Sequence, residues 1–214
     1  MPNHITNRIS VSGEEKRVKE FFDFIKGENG AIDFNKIVPM PKCLDIESSS
    51  DGDIGMSILN GEDKWKERFE GFDEERKSEC LKLGRKYLNN IKKYKHKDWY
   101  SWRIANWGTK WNAYDISVSE DLSDIIFNTA WSGVPTLVEK LAKKFADLYI
   151  EYDFADEDCG YNTGRGETDG DGHLMMYYPD GGTDESWEIY FDLNPGAEEL
   201  FENVDGEWRL KGEE

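Results

Sequence analysis

Four tryptophans crowd residues 98–114, D-W-Y-S-W-R-I-A-N-W-G-T-K-W-N-A-Y, with Arg103 and Lys110 threaded among them. Within this stretch Trp107, Gly108, Thr109, Lys110 and Trp111 form a candidate ligand site. Gly108 permits a tight turn whose N–H groups, with Thr109 and Lys110, could hold an anion between two indoles. A base or sugar would then stack on tryptophan, as in proteins that bind single strands. The same residues also fit a core anchor, with Trp107 and Trp111 buried against a sheet and Lys110 reaching to water.

Two further groups carry possible chemistry. Residues 82–97 place basic side chains around Tyr87 and Tyr94, which reads either as a nucleic-acid face or as a solvated helix surface. Asp156, Glu157, Asp158, Asp169 and Asp171 are hard oxygen donors and a candidate acidic partner surface. Asp169-x-Asp171-x-His173 begins like a calcium loop, but Leu174 stands where that loop needs glycine and Asp180 where it needs glutamate. No metal ligand and no cofactor is assigned. His4, His96 and His173 are far apart, and no nucleophile-elbow, zinc-protease or phosphate-loop pattern occurs. The reading therefore leans away from an enzyme and names no catalytic residue.

Charge divides the chain. The net charge is −18 over 214 residues, and from Glu151 onward 20 acidic residues meet only 3 basic ones. Residues 80–111 hold nine Lys/Arg against Asp98 alone. Overall acidity argues against double-stranded DNA as a partner. Hydrophobic residues are 37% and aromatics 14%, enough ring area for a folded core. No run approaches membrane-spanning length, the first ten residues lack an apolar signal region, and Cys43, Cys80 and Cys159 lack C-x-x-C spacing, which together suggest a reducing cytoplasm.

The elements that position these residues follow from periodicity. Residues 4–11 alternate as a strand, with Asn7 on its apolar face in need of hydrogen-bond partners. Ser12 and Glu15 look like a capping box, and Val18, Phe21, Phe22 and Ile25 give an amphipathic helix. Residues 32–41 read as extended, 48–55 as a turn-rich loop, and 65–71, 74–95 and 99–105 as helical. Two strands follow near 114–118 and 125–129. Val134, Leu137, Val138, Leu141, Ala142 and Phe145 then mark a helix, and 148–154 a strand. Residues 174–178, 187–193 and 208–211 are expected as further strands.

This order predicts an α+β, ferredoxin-like split βαβ sandwich, β-α-β-β-α-β. The expected organisation is a single domain over 1–214. Residues 1–29 and 112–155 form its core, 30–111 a mostly helical insertion after the first helix, and 156–214 an acidic extension of antiparallel strands.

N-H-I-T-N-R at residues 3–8, D-F-N-K-I-V-P-M-P at 33–41, W-G-T-K-W-N-A-Y at 107–114 and T-A-W-S at 129–132 occur in this order. Together they resemble the YubB-type ferredoxin-like proteins carried by plasmids and phages, over about residues 1–155. The sequence departs from that pattern where Gly133 and Val134 separate Ser132 from Pro135. The resemblance implies the fold and an origin on a phage or plasmid, and no catalytic residue. The leading expectation is a non-enzymatic binding module that contacts a host or phage protein through an acidic surface. The alternatives are a single-stranded nucleic-acid or nucleotide binder using Trp99 to Trp111, and a metal-dependent phosphotransfer enzyme using the carboxylates between Asp153 and Asp171.

Overall fold

The computed structural model describes residues 3–28 and 30–212; Met1, Pro2, Asn29, Glu213 and Glu214 lie outside the described residues. The chain divides into two compact units, one formed by Met1–Pro39 with Asn106–Glu214 and the other by Met40–Ala105. The helical unit is thus narrower than the insertion expected over 30–111.

The larger unit is ferredoxin-like. Strand β1 (His4–Ser12) leads to helix α1 (Glu15–Ile25), and β2 (Tyr114–Val118) and β3 (Asp124–Ala130) lead to α7 (Pro135–Lys144) and β4 (Tyr149–Asp156). Strands β5 (Gly164–Thr168) and β6 (Leu174–Tyr177) extend the sheet to the order β2-β3-β1-β4-β5-β6. Strand β1 pairs antiparallel with both β3 and β4, which gives the split order its central strand. Alternation sets the face: Ile5, Ile9 and Val11 of β1, Ile125 and Phe127 of β3, and Ile150, Tyr152 and Phe154 of β4 are buried. They meet Phe21, Phe22 and Ile25 of α1 and the full stripe from Val134 to Phe145, all buried. Burying each large side chain contributes roughly 2–3 kcal/mol.

Asn7 lies in this apolar layer and is satisfied there. Its amide donates to Ile5 O (2.9 Å), Phe127 O (3.3 Å) and Thr129 Oγ1 (2.9 Å), and its oxygen accepts from Tyr152 OH (2.7 Å). The capping box does not form. Ser12 stays in the ladder opposite Tyr149, and Glu14 takes the N-cap position without a side-chain bond. Residues 32–41 are not a strand either, because Asp33 caps a single helical turn, α2 (Phe34–Ile37), by accepting from Asn35 N at 2.9 Å.

The second sheet face is partly covered by α8 (Asp184–Leu193), the segment expected as a strand. Thr183 caps it, Asp184 and Glu185 sit in its first turn, and Ile189 and Leu193 pack on Ala155 of β4. Trp187, Tyr190 and Phe191 carry the hairpin of β7 (Phe201–Val204) and β8 (Glu207–Leu210). The Trp187 ring lies 4.8 Å from Phe201 and 5.7 Å from Trp208.

The smaller unit holds α3 (Ser50–Leu59), α4 (Lys66–Glu70) and α5 (Glu74–Tyr94), and α6 (Trp99–Trp107) runs from it into the larger unit. Helix α3 occupies the stretch expected as a turn-rich loop. It crosses α5 with no side chain between the backbones: a Cβ on Gly55 would fall 1.8 Å from Cys80 O, and one on Gly84 2.4 Å from Gly55 C. Ser49 caps α3, and Tyr87 OH donates to Glu47 O at 2.7 Å while accepting from Ser49 N at 3.0 Å. Burial raises the Tyr87 pKa to about 12, so the phenol keeps its proton at neutral pH.

Candidate functional site

The tryptophan stretch divides into buried and presented halves. Trp107 is fully buried, its indole N–H donates to Val38 O at 3.0 Å, and its ring meets Phe34 edge-on. It is a core anchor. Gly108, at φ +82°, lets the chain turn beside Gly133 O. Thr109 is also fully buried, and its hydroxyl donates to Ala130 O at 2.9 Å and accepts from Ala130 N at 3.2 Å. That pair of hydrogen bonds ties the turn after α6 to the end of β3.

The consequence is a surface pair of indoles. Trp111 is 40% exposed and Trp131, just after β3, is 44% exposed. The ammonium of Lys110 lies between them, 4.1 Å from the Trp111 ring centroid and 3.8 Å from that of Trp131. Tyr114 adjoins Trp111 at 6.3 Å and exchanges a 2.9 Å hydrogen bond with His4 Nδ1.

Trp131 is held at φ +71°, in the left-handed region. For a bulky side chain that conformation costs about 1–3 kcal/mol. The surroundings enforce it. Trp131 N donates to Asn3 O at 3.0 Å, and Asn162 Nδ2 lies 3.5 Å from Trp131 O. Both asparagine side chains donate to Asp156, at 3.0 and 2.8 Å. On the other flank Thr129 Oγ1 donates to Ser132 O and Val134 N to Tyr152 OH, both at 2.6 Å. Burial raises the pKa of Tyr152 far above the usual phenol range, so it remains protonated while holding this loop. Nothing in the sequence near residue 111 signals Trp131 as its neighbour; only the pairing of β3 with β1 and the Thr109 bridge bring them together.

The five acidic candidates do not make one surface. Asp156 is 5% exposed and fully engaged, accepting from Asn3, Asn162 and Asp158 N. Glu157 and Asp158 are exposed at the end of β4. Asp169 and Asp171 belong to the β5–β6 turn, and since Glu167 pairs with Glu151 near the start of β4, that turn lies at the opposite end of the sheet. There Asp169 accepts from Asp171 N and His173 N, bonds that hold its carboxyl below the usual range. Among the described residues no group of three or more His, Cys, Asp or Glu side chains is placed to hold a metal ion. In the basic run, Tyr87 is fully buried and cannot stack on a base.

Carboxylates do converge elsewhere, on the open sheet face beside α8. A groove of about 520 Å³ there is lined by Glu151, Asp153, Glu167 and Asp192 with only Arg8 and Arg165 against them. Buried Asp153 accepts from Arg8 Nη2 at 2.5 Å and Arg165 Nε at 2.9 Å. Arg165 also pairs with Asp192 and reaches Glu188 at 3.3 Å. Burial works against the Arg165 charge, but the Asp153 and Asp192 carboxylates outweigh it and its pKa lies above the ordinary value. Both guanidiniums are therefore spoken for, and the net field in the groove is negative. Its rim is β6, the edge strand beside β5, whose Leu174 N donates to Glu139 of α7 at 2.7 Å, with Met175 63% and Tyr177 56% exposed. Sequence reading missed this site because β5, with its two glycines, carries no strand pattern.

The fold and these surfaces define a ferredoxin-like domain with a helical unit inserted after its first helix and an added edge and hairpin. Residues 106–203 match the family model of the ferredoxin-like domain in Api92-like protein. No curated protein matches the chain. Among solved structures, the crystal structure of a protein api92 from Yersinia pseudotuberculosis aligns over 85% of this chain and 99% of that one, at 10% identity and a TM-score of 0.45. Among the described residues no helix is long and apolar enough to cross a membrane.

Proposed function

We propose that the chain is a non-enzymatic binding module that engages a basic partner protein through the acidic groove between α8 and the β5–β6 edge. The observation that carries this reading is the groove itself, where four carboxylates outnumber two already paired guanidiniums beside exposed Met175 and Tyr177. An extended basic segment fits that chemistry. Its backbone would add to the open edge of β6 with its cations on the face that carries Glu151 and Glu167, their aliphatic stems passing over Met175 and Tyr177. Such a surface also suits the basic groove of a nucleic-acid-binding protein, and opposite charge speeds the encounter. That the partner is a host or phage protein, and the chain of phage or plasmid origin, rests on the sequence resemblance alone.

A peptide of alternating lysine and valine, titrated by fluorescence anisotropy, tests the reading. Binding at low salt that weakens as salt rises, and that is lost on Glu151→Lys with Glu167→Lys, is the expected result. Equal loss from Glu202→Lys with Glu207→Lys, on the separate hairpin, would show that only overall charge matters and would overturn it.

A further inference from the structure

We infer that the Lys110–Trp111–Trp131 surface is a second binding site, for a flat ring that carries an anionic group, the chemistry of a nucleotide. This goes beyond the acidic-groove reading and uses different residues. Trp107 shows how this fold treats a structural tryptophan: fully buried, with its N–H bonded. Trp111 and Trp131 are treated otherwise, each keeping about two fifths of its surface in water. Trp131 does so from a left-handed backbone that glycine or asparagine would adopt with less strain, and that Asn3, Asn162 and buried Asp156 are arranged to enforce. Strain sustained to present a side chain, rather than to bury it, marks a contact surface.

The ligand class follows from Lys110. Its ammonium already lies over both indole faces at 4.1 and 3.8 Å, so a cationic ligand would meet a like charge there. A flat neutral ring stacks on the outer indole faces, and an attached anion meets the ammonium. Thr109 is a positioning residue: its hydroxyl, bonded both ways to Ala130, fixes the spacing of the two rings.

Indole N–H signals in a ¹⁵N–¹H spectrum of the full chain read this out, with Trp111→Phe and Trp131→Phe assigning the two signals. Adenosine monophosphate is expected to move both, and to bind about three- to fivefold more tightly than adenosine. Lys110→Gln should bring the monophosphate down to the affinity of adenosine, with the remaining indole signals unmoved as the control for folding. A single strand of about ten nucleotides distinguishes the two sources of this chemistry. Tighter binding than the monophosphate assigns a nucleic-acid strand, and equal or weaker binding a free nucleotide. Failure of the Trp111 and Trp131 signals to move with any of these probes, or an undiminished monophosphate preference in Lys110→Gln, overturns the proposal. The acidic-groove reading stands or falls separately, on Glu151 and Glu167.

Discussion

At the scale of single residues, the side chains with the most chemical promise in the sequence have divided duties. Trp107 and Thr109 build, while Lys110 and Trp111 present. Asp156, a surface carboxylate by composition, is a buried acceptor that braces the loop of Trp131. The strain at Trp131 can be measured directly. Replacing an ordinary residue by glycine usually destabilises relative to alanine by about 0.5–1 kcal/mol. At φ +71° the order should reverse, with Trp131→Gly more stable than Trp131→Ala by about 1 kcal/mol in urea unfolding. Alanine equal to or better than glycine would show that the backbone is not strained. The hydroxyl bridge gives a companion expectation. Thr109→Val keeps the shape but leaves Ala130 N and O unmatched in a buried place, and should cost about 1–3 kcal/mol.

At the scale of elements, legibility followed the number of consistent signals. Helix α7 could be read because six apolar residues fall on one stripe with Pro135 at its start. Helix α1 was equally clear, although its cap was misplaced because β1 keeps Ser12 in the ladder. The α8 segment reads as a strand because Trp187, Ile189 and Phe191 alternate; the capping Thr183 and the i, i+4 pair Ile189 and Leu193 are the features that make it a helix. Helix α3 was hidden most thoroughly, since its glycines look like a loop. They are there because two backbones touch. Gly84→Ala, favoured by helix propensity by about 1 kcal/mol, should instead destabilise the Met40–Ala105 unit severely, because its Cβ would fall 2.4 Å from Gly55 C. Loss of helical circular dichroism at a lower temperature than wild type checks this, and an unchanged or raised melting temperature would remove the close crossing. The candidate sites are less legible than the fold, as both depend on partners far apart in sequence: Thr109 with Ala130, and Asp153 with Arg8 and Arg165.

At the scale of the molecule, the excess of carboxylates sets two opposing responses to acid. Most of the 45 Asp and Glu side chains add to a net charge of −18, and protonating them relieves self-repulsion. A smaller set is held by donors in the folded state and works the other way. Arg17 bonds to Asp147 at 2.6 and 2.9 Å, joining α1 to the turn before β4, and this hydrogen bond is the main reason that the Asp147 pKa falls to about 2. Bonds from Arg76 to Asp51 and from Ser123 to Asp121 lower those groups as well. A carboxylate whose folded pKa lies below its unfolded value binds fewer protons folded than unfolded. Its stabilisation is therefore complete above the unfolded value, near 4, and is lost as pH falls toward the folded one. Melting temperature should thus hold or rise as pH drops from 7 toward 5, while repulsion is relieved, and then fall between about 4 and 2. Asp147→Asn removes one contributor to the second phase: its melting temperature should lie below wild type above pH 4 and converge with it near pH 2. Curves that coincide across that window would mean that the Arg17–Asp147 pair, exposed as it is, contributes nothing to the fold.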